Sequence, residues 1–177
     1  MKIALAGTHS TGKTTLLKEL SSRETFSDFS ILPEITRSIK EKGFSINEQG
    51  TLDTQILIMN SHMENILYKD QFLVDRCLLD GWAYTTYLAM QSRVPRWFAD
   101  YATNLLDTYM HRYDAVFYLP VEFGIEDDGV RSTDSDFRKQ VMELLEYKIT
   151  EFSNVHLLQG SVGSRADHAE AIVRSLR

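Results

Sequence analysis

The sequence has little of what marks secreted, membrane-spanning or nucleic-acid-coating proteins. It holds one cysteine among 177 residues, so no disulfide can form within the chain, which fits a reducing compartment. No apolar run is long enough to span a bilayer, and the first one ends within about six residues at a glycine, too short for a secretory signal. The net charge of −6 argues against a general nucleic-acid coat, because such proteins are basic. We therefore expect a cytoplasmic protein with no membrane contact.

Short apolar runs alternate with longer helical patterns along the chain. The candidate strands are 2–7, 29–34, 72–77, 115–120 and 154–159, and the candidate helices lie near 13–22, 34–42, 47–69, 79–91, 95–112, 134–151 and 164–176. This alternation predicts an α/β fold with a parallel sheet covered by helices on both faces. Repeats, low-complexity tracts and linkers are absent, so we expect one domain over residues 1–177. In such sheets ligands bind beyond the carboxyl ends of the strands.

The stretch "GTHSTGKTT" follows the first strand and has the spacing GxxxxGK[ST] of a phosphate-binding loop. Its backbone N–H groups would point at phosphate oxygens, helped by the positive end of the following helix. Lys13 would reach the β- and γ-phosphates, and the Thr14 hydroxyl would ligate Mg²⁺. The residues predicted to bind nucleotide here are Gly7, Thr8, His9, Ser10, Thr11, Gly12, Lys13, Thr14 and Thr15.

A charged pair ends the third strand, in "FLVDRC". A strand-end aspartate that is buried needs a partner, and the Thr14 hydroxyl with its Mg²⁺ would supply one, so Asp75 is predicted to be a metal-supporting acid. Arg76 is placed to contact a phosphate or another acceptor group with two parallel hydrogen bonds. The alternative is a surface ion pair at the end of a strand.

A carboxylate follows the second strand, in "ILPEITR". Glu34 is predicted to accept a hydroxyl proton or to hold a sugar hydroxyl. Arg37 lies about one helical turn further on and would face the same cleft. The alternative is an acid favoured at a helix N-terminus by the helix dipole.

Two arginines lie in "EDDGVRSTDSDFRKQ". If the segment is helical, Arg131 and Arg138 share one face, since their spacing is about two turns. We interpret the region near 124–138, with Gly129 as hinge, as a lid whose arginines close over the transferring phosphoryl group. The alternative is a solvated loop followed by a helix surface.

Three further features carry weaker expectations. Arg165, after the glycine turn in "LLQGSVGSR", either packs on an adenine base or belongs to a plain strand–helix connection. Trp82, Tyr84 and Tyr87 either line an acceptor pocket or pack in the core, as aromatics at helical spacing more often do. Cys77 is expected to be a buried small apolar residue.

Together these stretches resemble the small P-loop kinases of the nucleoside and nucleotide kinase group, including phage-type members. The pattern is most similar to the ribosylnicotinamide-kinase-like domains that are labelled "AAA domain" although they lack AAA+ features. The resemblance implies a five-stranded parallel sheet of order 2-3-1-4-5, a lid bearing arginines, ATP as donor and Mg²⁺ as cofactor. It implies that Gly12, Lys13 and Thr14 hold phosphate and metal, and that Asp75 is the acid of the family's Asp-Arg pair. It also implies that Glu34 approaches the acceptor hydroxyl and that Arg131 and Arg138 are lid arginines.

The resemblance does not identify the acceptor. "Asp-Arg-Cys" departs from the usual Glu-Arg-Ser of deoxynucleoside kinases, and thymidylate kinases carry an aromatic residue after Asp-Arg. The first hypothesis is a kinase acting on a nucleoside, nucleotide or nucleoside-like molecule. The second is a kinase acting on a modified base, such as 5-hydroxymethyluracil, or on an end in DNA, against which the acidic charge counts. The third is a nucleotide-driven switch or ATPase; the guanine-reading N-K-x-D of GTPases is absent from the sequence.

Overall fold

In the computed structural model, which describes residues 1–122, 124 and 134–177, five parallel strands form one sheet. Their order is β2-β3-β1-β4-β5, which confirms the predicted topology. The strands are β1 Lys2–Ala6, β2 Ser30–Leu32, β3 Phe72–Asp75, β4 Ala115–Tyr118 and β5 Val155–Leu157. Each is a little shorter than the apolar run that predicted it.

Helices connect the strands. They are α1 Lys13–Ser21, α2 Ile35–Glu41, α3 Leu52–Tyr68, α4 Leu78–Met90, α5 Arg96–Tyr109, α6 Ser135–Ile149 and α7 Val162–Leu176. Short 3₁₀ turns lie at Glu24–Phe26, Asn47–Gln49 and Met110–Arg112. In the part of the chain that the structure describes, no helix combines the length and the apolarity that crossing a membrane requires. The cytoplasmic location stays a prediction.

The apolar strands follow from burial on both faces of the sheet. In β1, Ile3 and Leu5 pack with α1 and α7 on one face, and Ala4 and Ala6 belong to the core beneath α3 to α6 on the other. All four residues are fully buried. A strand with helices on both sides cannot alternate apolar with polar residues, which is why the sequence shows continuous runs.

The prediction of one helix over 47–69 is wrong in its N-terminal part. A 3₁₀ turn ends at Gln49, Gly50 is not helical, and α3 begins after Thr51. The Thr51 hydroxyl caps α3 by accepting a hydrogen bond from the Thr54 N–H at 3.4 Å. A Cβ on Gly50 would lie 2.9 Å from Leu88 Cδ1, so the backbone passes close to α4 at this point. The apolar periodicity of α3 carries no sign of this contact.

The segment predicted to form a lid lies mostly outside the described residues, and Gly129 and Arg131 are among those outside. The helix predicted from 134 is present, and Asp134 caps it by accepting hydrogen bonds from the N–H groups of Asp136 at 2.9 Å and Phe137 at 3.0 Å. Asp is among the residues favoured at this capping position, because its carboxylate satisfies N–H groups of the first turn.

Candidate active site at the carboxyl edge of the sheet

The loop between β1 and α1 depends on two glycines in the left-handed region. Gly7 has φ 141°, and a Cβ there would lie 2.5 Å from the carbonyl oxygen of Leu119, so no larger residue fits. Gly12 has φ 85° and precedes the first turn of α1. Only glycine adopts such conformations without strain. The loop therefore lies tight against the end of β4, with its backbone turned toward the N-terminus of α1.

Lys13 lies within this loop and is 5% exposed. Its Nζ donates to the carbonyl oxygen of Gly7 at 2.9 Å, to that of Thr8, and to Thr11 Oγ1 at 3.3 Å. Burial lowers the pKa of Lys13 to about 8, and the positive charge of Arg76 acts in the same direction. The ammonium is thus held by neutral oxygens, a setting in which a phosphate anion would stabilise it.

Thr14 and Asp75 meet across the sheet edge. The Thr14 hydroxyl donates to Asp75 Oδ2 at 2.7 Å, and Asp75 is 2% exposed. The other carboxylate oxygen, Oδ1, is buried with no hydrogen-bond partner among the described residues. A buried, half-satisfied carboxylate beside a hydroxyl is an oxygen donor set that fits Mg²⁺, which takes one or two protein ligands and the rest from phosphate and water.

The described part of the chain has no group of three or more His, Cys, Asp and Glu side chains arranged to hold a metal ion. Thr14 and Asp75 are the residues predicted to hold Mg²⁺ together with a bound nucleotide. These metal-binding roles stay predictions.

Arg76 follows β3 in an unusual backbone conformation. Its φ is 78°, in the left-handed region, which costs a non-glycine residue about 1–3 kcal/mol. Its N–H donates to the carbonyl oxygen of Leu5 at 2.9 Å, which continues the sheet and holds this conformation. The guanidinium lies over the ring of Tyr84, 5.1 Å from its centroid. Burial opposes its charge, but Tyr84 and neighbouring carboxylates raise the pKa of Arg76 well above its usual value, so it stays charged.

Glu34 lies opposite Arg76, at the N-terminus of α2. Glu34 Oε1 accepts from Arg76 Nε at 3.0 Å, and its Oε2 accepts from Arg37 Nε at 3.1 Å. Burial acts to raise the pKa of Glu34, but the charge of Arg76 and its hydrogen bond outweigh burial and lower it. The carboxylate is therefore ionised at neutral pH, and the structure joins it to the strand-end arginine as well as to the arginine one turn along its own helix.

Asp80 belongs to the same cluster, and the sequence interpretation missed it. It is 1% exposed, and its Oδ1 accepts from the Gly7 N–H at 3.1 Å and forms an ion pair with Arg76 NH1 at 3.5 Å. Its Oδ2 accepts from the Cys77 N–H at 3.1 Å, which closes the first turn of α4. Burial raises the pKa of Asp80, against the pull of Arg76 and Lys13. An acid four residues after Arg76, in the first turn of a helix, was the signal available.

Two of the arginines that the sequence assigned to the site donate hydrogen bonds to the backbone of the phosphate loop. Arg138 NH2 donates to the Ser10 carbonyl oxygen at 3.1 Å, and Arg165 NH1 donates to that of Thr11 at 2.8 Å. Arg165 also forms an ion pair with Glu122 and is only 1% exposed. It therefore supports the loop from within, and its contact with adenine stays a prediction.

The imidazole of His9 is packed within the loop. It is 1% exposed and stacks on Phe137 with ring centroids 5.7 Å apart. The ring is therefore enclosed between the loop and α6, and the contact of His9 with nucleotide stays a prediction.

The aromatic residues of α4 divide between core and cleft. Trp82 and Tyr87 are buried, with Trp82 Nε1 donating to Thr103 Oγ1 at 2.9 Å and Tyr87 meeting Phe137 edge-on, so both are core residues. Tyr84 is also buried but lines a cleft of about 350 Å³. Cys77 is buried, as expected, and burial raises the pKa of its thiol well above the usual value.

Two clefts meet at the carboxyl edge of the sheet. The first, about 230 Å³, is lined by loop residues 9–14 together with Glu34, Asp75 and Arg76. The second is the 350 Å³ cleft, which is lined by Arg76, Asp80 and Tyr84 and by residues of α2, α3 and the turn between them. Arg76 lines both, so the sheet edge joins the polar cleft at the phosphate loop to a larger, more apolar one.

The sequence matches a known family over nearly its whole length. A family model described as an AAA domain matches residues 2–165. The chain belongs to this AAA domain family. No curated protein sequence matches it significantly.

Solved structures similar to this AAA domain protein share its fold at low sequence identity. A deoxyadenosine kinase from M. mycoides, with dCMP and dCDP bound, has a TM-score of 0.74 and 15% identity over all of both chains. The NadR protein in complex with NR has a TM-score of 0.72 and 16% identity over 98% of this chain and 50% of its own. Thymidylate kinase from Candida albicans has a TM-score of 0.66 and 16% identity over 98% and 90%. The fold is thus that of nucleoside and nucleotide kinases.

Proposed function

We propose that this AAA domain protein is one kinase domain that moves the γ-phosphoryl group of ATP to a nucleoside, nucleotide or nucleoside-like small molecule, with Mg²⁺ as cofactor. One observation carries the proposal. The phosphate cleft around Lys13 and the larger cleft beside Tyr84 are joined at Arg76, with the Glu34 carboxylate at the junction. A nucleotide-driven switch has no need of a second cleft at this point.

On the donor side, the loop would hold the phosphates of ATP. Backbone N–H groups at the N-terminus of α1 would face phosphate oxygens, and Lys13 would leave the carbonyl oxygens it now contacts to bind the β- and γ-phosphates. Mg²⁺, when bound through Thr14 and Asp75, would neutralise charge on the β- and γ-phosphates. Arg138, which donates a hydrogen bond to the Ser10 carbonyl oxygen of this loop, would contact the same phosphates.

On the acceptor side, Glu34 would hold the hydroxyl that attacks. The acceptor oxygen forms a bond to the γ-phosphorus, the bond from that phosphorus to the bridging oxygen breaks, and its electron pair leaves with ADP. The hydroxyl proton passes to Glu34 and from there to water. Because the pKa of Glu34 is lowered, its main contribution is to orient the hydroxyl and accept its hydrogen bond.

The structural neighbours support this reading. Deoxyadenosine kinase and thymidylate kinase are named for acting on a nucleoside and a nucleotide, and NadR is seen with NR. Since all three are under 20% identical to this chain, they support the reaction class and leave the acceptor to be derived from the site.

The test is acceptor-dependent ATP consumption. Purified protein with ATP and Mg²⁺ is offered nucleosides, nucleotides, ribosylnicotinamide and 5-hydroxymethyluracil-containing DNA, and ADP is measured with and without each. The proposal predicts that ADP formation depends on a small-molecule acceptor. Equal ADP formation in the absence of any acceptor would indicate an ATPase and contradict it.

A further inference from the structure

We propose that Asp80 is a specificity-determining residue that, with Glu34, restricts the acceptor to an uncharged hydroxyl compound of nucleoside size and excludes the corresponding monophosphate. The inference rests on the proposed kinase function and deepens it, because the fold alone is compatible with both kinds of acceptor.

The first observation is that the cation shared by the two clefts is already neutralised. Arg76 pairs with Glu34 at 3.0 Å and with Asp80 at 3.5 Å, and the three side chains are 11%, 16% and 2% exposed. The guanidinium of Arg37 also pairs with Glu34, at 3.1 Å. Two guanidinium groups thus face two carboxylates, and these four groups leave no surplus positive charge for an acceptor phosphate.

The second observation is the neutral lining of the larger cleft. Apart from Arg76 and Asp80, the described residues that line it carry no charge. Its histidine, His62, is neutral as well, because burial and the charge of Arg76 lower the pKa of His62 to about 3. Gln55 is fixed by the hydrogen bond that the Thr85 hydroxyl donates to its Oε1 at 3.0 Å. Among the described residues, the lining can form hydrogen bonds to a polar ring, and its one cation, Arg76, is already paired with carboxylates.

The energetic consequence follows from the cost of unpaired charge in a buried site. A monophosphate placed at Arg76 would compete with two carboxylates and lie close to both, and like charges in such positions cost several kcal/mol. A hydroxyl needs only one acceptor, which Glu34 provides. The uncharged polar side chains of the cleft and the ring of Tyr84 suit an uncharged polar acceptor.

Asp80 is the residue that makes this pairing permanent. Its carboxylate is also bound by the N–H groups of Gly7 and Cys77, at 3.1 Å each, so it cannot turn away to release Arg76. Glu34 alone would leave one edge of the guanidinium open to a phosphate. Asp80 therefore does more than cap α4, because it fixes the charge that the acceptor meets.

The experiment compares nucleosides with their own 5′-monophosphates. For wild type, kcat/KM should favour the nucleoside by about 10²-fold or more, the scale expected for a few kcal/mol of repulsion. Calorimetry with ADP present measures binding of each ligand directly. Asp80→Asn and Glu34→Gln should each tighten binding of the monophosphate relative to the nucleoside by about tenfold or more, because each releases Arg76. Glu41→Gln, a matched change at an exposed position of α2, should alter neither.

If Asp80 had only a structural role, Asp80→Asn would weaken the binding of both ligands by the same factor. That result, together with an unchanged ratio in Glu34→Gln, would overturn the inference. So would a wild-type preference for the monophosphate, in binding or turnover, or for a hydroxyl carried in DNA. If Asp80→Asn does not fold, Glu34→Gln and the wild-type comparison still decide. An absence of acceptor-dependent turnover contradicts the proposed function, while the binding comparison judges this inference separately.

Discussion

Asp75→Asn should separate activity from stability. The change keeps the size of the side chain and removes one negative charge from the position where Thr14 and the half-satisfied Oδ1 of Asp75 would hold Mg²⁺. Losing one well-placed electrostatic group of this kind costs about 10²–10³ in rate, or about 2.7–4 kcal/mol. We expect a fall of that size in the transfer rate and a higher Mg²⁺ concentration at half-maximal activity.

Stability should respond in the opposite sense. Without Mg²⁺, a buried carboxylate oxygen that lacks a partner costs folding free energy, so its replacement should leave the protein at least as stable as wild type. Denaturant unfolding in EDTA checks this, and initial rates across a Mg²⁺ titration check the activity. Asp114→Asn is the matched control, because Asp114 lies at the opposite edge of the sheet, where it accepts the Lys2 N–H at 2.6 Å. Wild-type rates with wild-type Mg²⁺ dependence in Asp75→Asn would refute the metal-supporting role.

Three further predictions follow from the same geometry. Glu34→Gln should lower transfer by about 10²–10⁴-fold while ATP affinity stays near normal, and Glu41→Gln should change neither; a loss of ATP affinity alone would place Glu34 on the donor side. Arg138→Lys should recover only part of the transfer rate lost in Arg138→Ala, because a point charge cannot replace the two parallel hydrogen bonds of a planar guanidinium. Lys139→Ala should leave the rate unchanged, and full recovery in Arg138→Lys would argue against a bidentate contact. Glu170 accepts hydrogen bonds from one threonine and two arginines, which lower the pKa of Glu170 to about 2. Its stabilising effect should therefore be complete above the ordinary pKa of 4.5 and disappear as the pH falls through about 2. Unfolding of Glu170→Gln and wild type at several pH values measures this, and a difference in unfolding free energy that does not change with pH would contradict it.

The sequence predicted the frame of the molecule because its strongest signals are local. Continuous apolar runs belong to the central strands β1, β3 and β4, which are buried on both faces, and the loop motif needs only its own spacing and a strand and helix beside it. The hydrogen bond between Thr14 and Asp75 was predictable in the same way, since parallel strands bring their carboxyl ends to one edge.

Contacts between distant segments were not predictable from local pattern. The break at Gly50 comes from the close approach of α4, and the burial of Arg165 comes from its contacts with the phosphate loop and Glu122. Asp80 was missed for a related reason. Its place in the sequence marks a helix N-terminus four residues after Arg76, and only the fold brings it to Gly7.

The most direct test of the central claim follows the γ-phosphoryl group itself. ATP labelled at the γ-phosphate is incubated with the protein, Mg²⁺ and a nucleoside, and the label is located after the reaction. The account predicts label on a hydroxyl of the nucleoside in wild type and none in Lys13→Ala, whose folding is checked by circular dichroism because the Lys13 ammonium is buried within the loop. Label found only in inorganic phosphate, or the same transfer by Lys13→Ala, would contradict it.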